Sequence, residues 1–401
     1  MPSPSADRYH SVERVLRTAA PHELLDAVRA ELDRLFGARR VELLMADYAL
    51  TMLQPVAVLP YTRRPLSTNV GAPGRAFGTQ RPYLEDGEGG GVVAHLPVTV
   101  RGDRLGVLSV AIPASPDPDT LRELAQVAET LGHEIIVAER DTDVYLQARR
   151  ADRLTLAAEM QWQLLPGRAC ARTEYSIGAQ LEPAYAIYGD NFDWSTSAEH
   201  LTLTVTNGMG EGIDAALLTN LAINALRNAR RAGIPLPDQA ALADQAIYGQ
   251  YGGRVHVSVL LLRFELSTGN VDVIDAGSPR MWRLRAGTIE PITFDAQLPL
   301  GMFEETHYRT EQFQVEAGDR LIFVSDGVYD VASATGERYG KQALARAINA
   351  TRLLPAAQVP RAVLQELAGH RHVSGAEDDA MVVCLDWHGP LGPVPEGSDH
   401  R

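Results

Sequence analysis

Cysteine is almost absent from this chain: Cys170 and Cys384 are the only two in 401 residues. No C-x-x-C pair exists, which excludes a zinc ribbon or a dithiol redox motif. Six positions after Cys170 stands Ser176 rather than an arginine, so a cysteine-phosphatase loop is missing as well. Both thiols read as idle groups in a reducing compartment. Lysine is scarcer still. Lys341 is the single one, and every other member of the 37 Lys plus Arg is arginine, a bias expected of a GC-rich genome. No apolar run approaches the roughly 18–20 residues that span a bilayer. The start, MPSPSADRYHSVERVL, lacks the basic-then-apolar order of a secretory signal. A soluble cytoplasmic protein is the resulting expectation. Positive charge is in deficit too: 37 Lys plus Arg against 51 Asp plus Glu leave a formal charge of −14. Such a body repels phosphate backbones and anionic lipid surfaces, so neither nucleic acid nor membrane is an expected partner.

What is present describes a globular chain, 45% hydrophobic and 22% charged. At roughly 150 residues per domain, its length suggests two or three domains. A short N-terminal segment, 1–19, precedes the first of three pieces. That first piece, 20–140, opens with PHELLDAVRAELDRLFGA, where Leu24, Leu25, Val28, Leu32 and Leu35 recur at helical spacing and Gly37 closes the pattern. VELLMADYALTMLQPVAVL reads as strands. LPVTVRGDRLGVLSVAIP reads as a hairpin around Arg101-Gly102-Asp103-Arg104. A helix, PDTLRELAQVAETLGHEIIVAE, completes a helix–strands–helix order. This order, the APGRAFGTQRPY stretch from Ala72 to Tyr83 and the LGVLSV strand resemble a GAF domain. The resemblance implies a module that binds a small ligand or dimerises, and both readings stand. The piece has no cysteine, so a cysteine-linked chromophore is excluded.

The second piece, 141–168, reads as a helical connector. Val144, Ala151, Ala158 and Leu165 fall seven apart, while Gln147, Leu154 and Gln161 interleave them. That is a seam of about three heptads weakened by two glutamines, compatible with a packed linker or with a homodimeric coiled coil. Pro166 and Gly167 stop the helix.

The third piece, 169–388, mixes alternating strands (HLTLTVT, RVHVSVLLLRFEL, VDVIDAG, RLIFVSD, DAMVVCLDW) with two long helical patterns, 213–232 and 341–368. A Pro/Gly-rich tail, 389–401, follows and is expected to be disordered. The overall class is α+β. Carboxylates cluster in this piece: Asp190 and Asp193 in YGDNFD, Asp326 at the end of LIFVSDG, and Asp378 and Asp379 in EDDAMVV. Aspartates at strand ends beside glycine can converge from one sheet, and a hard, oxygen-liganded cation would offset their repulsion. The absence of histidine spacing argues for Mg²⁺ or Mn²⁺ over zinc. A glycine loop, Gly208, Gly210 and Gly212, leads into a helix that ends in Arg227, Arg230 and Arg231. It lacks the Lys-Ser/Thr ending of a P-loop.

Six motifs in order, YGDNFD, NGMGEG (207–212), AGSPRM (276–281), LPLGM (298–302), VSDGVYD (324–330) and EDDAMVV, resemble the SpoIIE-type branch of the metal-dependent (type 2C, PPM) serine/threonine protein phosphatases. AAEMQWQLLP resembles the helix that precedes this domain in the family. The resemblance implies an α-β-β-α sandwich and two Mn²⁺ or Mg²⁺ ions. The metal positions would be Asp190, Asn207, Gly208 (through its carbonyl), Asp326 and Asp378, with Asp190, Asp326 and Asp378 as the catalytic set. Asp193, Glu211 and Asp379 would stand around them. It further implies hydrolysis of a phosphoserine or phosphothreonine on a regulatory phosphoprotein, an anti-sigma-factor antagonist acting in trans, gated by the GAF-like piece.

Several site positions depart from the family pattern. Asn207 stands where the family has a metal-ligating aspartate, Glu211 and Ser278 replace histidines, and Tyr188 replaces a glycine. One metal position is therefore expected to be weakened. The alternative is a pseudophosphatase, a binding or scaffold module with little turnover.

Overall fold

The computed structural model describes residues 4–56, 65–87, 90–182, 189–277, 279–333, 336, 338–340, 342–370 and 379–390. The chain divides into two compact units, Met1–Arg153 and Leu154–Arg401.

The first unit is built on a six-stranded antiparallel sheet with the order β3-β2-β1-β6-β5-β4. Its strands are β1 Arg40–Ala46, β2 Met52–Pro55, β3 Leu66–Ser67, β4 Tyr83–Asp86, β5 Val92–Val100 and β6 Asp103–Ile112. The expected hairpin is β5–β6. Arg101 and Gly102 turn it with φ of 52° and 95°, the paired positive values that let a two-residue loop match the twist of its strands. Helices α1 Pro4–Thr18, α2 Leu24–Phe36 and α4 Pro118–Ala138 bury Val12, Leu16, Val28, Leu32, Leu124 and Leu131 against one face. Helix α3 Gly71–Thr79 places Ala76 and Phe77 in a smaller core with Leu44, Leu53 and Val107. Thus the segment before residue 20 is a helix with core residues of its own.

The connector is not one helix. Helix α5 covers Val144–Ala148 and α6 covers Leu156–Leu164, and residues 149–155 between them are non-helical. Contacts distant in sequence and a new helix cap outcompete the heptad pattern. Tyr145 is fully buried and donates its hydroxyl to the Pro21 carbonyl at 3.0 Å. Arg149 stacks on the Tyr48 ring at 5.0 Å. The Thr155 hydroxyl caps α6 by accepting from the Ala158 N–H at 3.2 Å. Ala151 therefore lies on no helix, and the seven-residue spacing gives no continuous seam for a coiled-coil homodimer.

The second unit is two sheets between two helical layers. One sheet has the order β15-β12-β11-β10-β9 and the other β14-β13-β16-β17-β8-β7. The first comprises β9 Asn191–Thr196, β10 His200–Gly208, β11 Val257–Glu265, β12 Asn270–Ala276 and β15 Glu311–Gln314. The second comprises β7 Ala169–Ala171, β8 Tyr175–Glu182, β13 Arg280–Arg285, β14 Thr288–Ile292, β16 Arg320–Val324 and β17 Ala380–Trp387. Strand alternation sorts the side chains into layers. Leu203, Val205, Leu260, Leu262, Leu321, Phe323, Met381 and Val383 fill the space between the sheets. Val259 and Leu261 face α7 Gly212–Arg231 and α8 Leu236–Tyr251. Ile322, Val324, Val382 and Cys384 face α10 Ala343–Ala350 and α11 Val359–His370. The α-β-β-α sandwich is thus observed directly. Helix α8 was not expected from the sequence. The expected 341–368 helix is two, broken where Pro355 follows Leu353 and Leu354.

Both cysteines are free, and burial pushes the Cys384 thiol well above its ordinary value, which keeps it protonated and unreactive. No described helix is long and apolar enough to cross a membrane. The tail beyond residue 390 lies outside the described residues.

One buried carboxylate fastens the LPLGM segment. Asp244 of α8 accepts from the Gly301 N–H at 2.7 Å and the Tyr308 hydroxyl at 3.2 Å. Burial raises its carboxyl above the ordinary value despite these bonds. The fold therefore holds this proton more tightly than the unfolded chain does. The resulting stabilisation is complete below the unfolded carboxylate pKa of about 3.9 and is lost as pH rises through the raised folded value. Asp244→Asn should flatten this part of the stability–pH profile measured by urea denaturation. A profile unchanged from wild type would contradict the assignment.

Candidate functional site

Two strand ends and two loops meet at one end of the sandwich. Asp190 lies in the loop before β9, Asn207 and Gly208 end β10, Asp326 opens the one-turn helix α9 (Asp326–Tyr329) after β16, and Asp379 immediately precedes β17. Asp378, Ser278 and Tyr188 lie outside the described residues.

Gly189 is the hinge of this arrangement. Its φ is +132°, in the region that favours glycine, and a Cβ there would collide with the Gly208 carbonyl oxygen. Its carbonyl accepts from the Gly208 N–H at 3.2 Å and from the Thr219 hydroxyl of α7 at 2.9 Å. Its own N–H and that of Asp190 both point at Oδ2 of Asp379, at 2.9 and 3.2 Å. The side-chain amide of Gln161, on α6, donates to the Asp190 carbonyl. Asp190, Asp379, Gly208, Thr219 and Gln161 are all buried. Asp379 therefore acts on the backbone that carries Asp190. Its neighbour Gly327 lets it approach, since a Cβ there would overlap the Asp379 carbonyl oxygen.

Asp326 and Asn207 face each other across the sheets. The Asn207 Nδ2 donates to Asp326 Oδ1 at 2.5 Å, and the Gly327 N–H donates to the same oxygen at 3.0 Å. The opposite amide orientation would set two oxygens against each other, so this one is chemically required. Asp326 Oδ2 accepts no hydrogen bond from a described residue. An aspartate at position 207 would instead repel Asp326 unless a cation stood between them.

The other expected residues separate from this group. Asp193 on β9 accepts from Arg227 at 2.7 and 3.2 Å and from Arg230 at 3.0 Å. Its side chain is 4% exposed, so two guanidiniums already satisfy its charge. Arg227 also donates to the Leu164 carbonyl at 2.6 Å, tying α6 to α7. The arginines that end α7 thus do more than complement the helix dipole. Glu211 is exposed, and among the described residues it makes no hydrogen bond or ion pair. It offers no visible replacement for the charge missing at 207.

The donor set around Asp190, Asn207, Gly208 and Asp326 is oxygen only. The close Gly189–Gly208 approach forms a cradle that a Cβ would fill. This chemistry fits a hard divalent cation such as Mg²⁺ or Mn²⁺. Among the described residues no three His, Cys, Asp or Glu side chains gather as a metal cluster. Gln161, Thr219 and Gly189 were not singled out from the sequence. The one available signal was Gln161, a polar residue at an interleaved heptad position.

Removing the Asp379 carboxylate leaves two buried N–H groups without their acceptor. Asp379→Ala should cost about 2–3 kcal/mol in urea denaturation, and Asp379→Asn, which keeps one acceptor oxygen, clearly less. Equal and negligible losses in both variants would remove Asp379 from this role.

Residues 197–388 match the family model described as Stage II sporulation protein E (SpoIIE), a match that begins after Asp190 and Asp193. The chain is 21% identical over 255 residues to Protein IcfG of Synechocystis, covering 57% of this chain and 40% of that one. It is 21% identical over 232 residues to the phosphoserine phosphatase RsbU of Bacillus subtilis, covering 57% and 69%. The chain thus spans about two fifths of the first relative's length. The SiaA-PP2C domain of Pseudomonas aeruginosa superposes with a TM-score of 0.49 at 18% identity, over 58% of this chain and 94% of that one. Asn207, Gly208, Asp326 and Asp379 thus all lie within the segment, residues 197–388, that matches the SpoIIE family model.

Proposed function

We propose that the second unit is a metal-dependent protein serine/threonine phosphatase, acting on a phosphorylated regulatory protein in trans, in the cytoplasm. The observation that carries this reading is the oxygen-only group of Asp190, Gly208 and Asp326, with Asp190 held by five hydrogen bonds on its backbone and that of Gly189. Asp378 completes the proposed ligand set by its place in the EDDAMVV motif. A divalent pair, Mn²⁺ or Mg²⁺, would supply an activated water and neutralise developing phosphoryl charge. The chain's own part is to fix the ligands. Asp379 sets the Asp190 backbone, Gly327 admits Asp379, and Asp326 keeps Oδ2 directed away from its protein donors. RsbU bears the name phosphoserine phosphatase, and phosphoserine is the substrate class proposed for this chain. By the resemblance of its motifs, an anti-sigma-factor antagonist is the proposed partner.

The first unit we assign as a GAF-like regulator with a small ligand. Its support is the six-stranded sheet, covered on one face by α1, α2 and α4 and carrying α3 on a separate core.

A second reading has its own observation. The Asn207 amide occupies one oxygen of Asp326, where a carboxylate would have supplied charge to a metal pair. One cation position is weakened on this reading, and in the limit the unit binds phosphoprotein with little turnover. Manganese-dependent hydrolysis of an aryl phosphate separates the two. The proposal expects measurable turnover in wild type, background rates in Asp326→Ala, and a gain of about tenfold or more in Asn207→Asp. Background rates in wild type together with a gain in Asn207→Asp would overturn the phosphatase reading in favour of the binding module.

A further inference from the structure

Arg280, in AGSPRM, is a residue that none of the foregoing uses. It begins β13, and in the β13–β16 pairing it lies opposite Val324, two residues before Asp326. It therefore sits at the end of the sheet where Asp326 stands. Its guanidinium lies 3.9 Å from the centre of the Tyr329 ring, and Tyr329 closes the same helical turn that Asp326 opens. Among the described residues it makes no hydrogen bond or ion pair, and the residue is exposed. Stacking fixes the guanidinium plane and leaves its N–H edge available, the arrangement in which arginine grips phosphate through two parallel hydrogen bonds.

Arg280 also borders a cavity of about 590 Å³ whose walls include Trp282, Ile289, Ile292 and Phe294. Asp275 lines the same cavity, and burial raises its carboxyl above the ordinary value, while Arg280 draws it down. A phosphate dianion approaching the carboxylates of Asp190 and Asp326 gains from a protein cation beside the proposed metal pair. An arginine held on the Asp326 helix supplies one without disturbing the carboxylates.

We infer that Arg280 is the phosphate-gripping and specificity-determining residue of this site, and that the adjoining cavity seats an apolar side chain next to the phosphorylated serine or threonine. This inference rests on the phosphoprotein reading above. The probes are two phosphoserine peptides, one flanked by leucine and one by glycine, titrated calorimetrically into the full chain with manganese present.

Arg280→Ala should weaken both peptides by about 10- to 100-fold, and Arg280→Lys, which keeps the charge but not the fork, by less. Wild type should prefer the leucine-flanked peptide by about tenfold. Circular dichroism checks the fold, and Arg280→Gln replaces the alanine variant if that variant unfolds. Unchanged affinity in Arg280→Ala or Arg280→Gln overturns the arginine assignment, equal affinity for the two peptides overturns the cavity's role, and no binding by wild type overturns both. Aryl-phosphate turnover by wild type reports on the phosphatase reading separately. Turnover with Arg280-independent binding defeats only this inference, and Arg280-dependent binding without turnover defeats only the catalytic reading.

Discussion

The Gly189–Asp190 peptide is tied from four directions. Asp379, entering β17, takes both N–H groups. Gly208, ending β10, and Thr219, on α7, share the Gly189 carbonyl. Gln161, on α6, takes the Asp190 carbonyl. Buried backbone groups must find partners, and here each partner comes from a different element. Both sheets and the helices on one side of the sandwich therefore converge on the position of a single aspartate. The glycines follow from the same constraint. Side chains at 189 and 327 would occupy space already held by the carbonyls of Gly208 and Asp379.

This arrangement separates two uses of carboxylate in an acidic chain. Asp193 is engaged by arginines at both oxygens, and Asp379 takes two backbone N–H groups at Oδ2. Their task is to hold elements together. Asp326 is only partly engaged, through one oxygen. Asn207 supplies that engagement, because its amide donates where a carboxylate would repel. Arg280, at the neighbouring strand start, places a positive group on the Tyr329 ring of the same helix turn.

Legibility followed range. Individual strands, turns and helices were readable because alternation and turn residues are encoded locally, whereas the sandwich that assembles them was implied by the resemblance of six motifs. The β5–β6 hairpin and α7 are examples, with Arg101-Gly102 and the 213–232 pattern marking them in the sequence. The connector misled because its heptad spacing is local too, whereas Tyr145 and Arg149 are held by partners at Pro21 and Tyr48, over a hundred positions away for the first. Helix α8 escaped for a related reason: its sequence, LPDQAALADQAIYGQY, is rich in alanine and short of large apolar residues to mark a stripe. At the site, the motif aspartates were visible as types but not as roles. No local signal distinguishes Asp193, which pairs with Arg227 and Arg230, from Asp326, which keeps an oxygen open. Gln161 looked like a flaw in a heptad seam and is instead a fastening of the Asp190 loop.

The most direct test is a calorimetric titration of Mn²⁺ into the full chain and into Asn207→Asp. The account predicts one tight and one weak site in the wild type, with the weak one strengthened by about 10- to 100-fold in the variant. Two equally tight sites in the wild type, unchanged by Asn207→Asp, would contradict it.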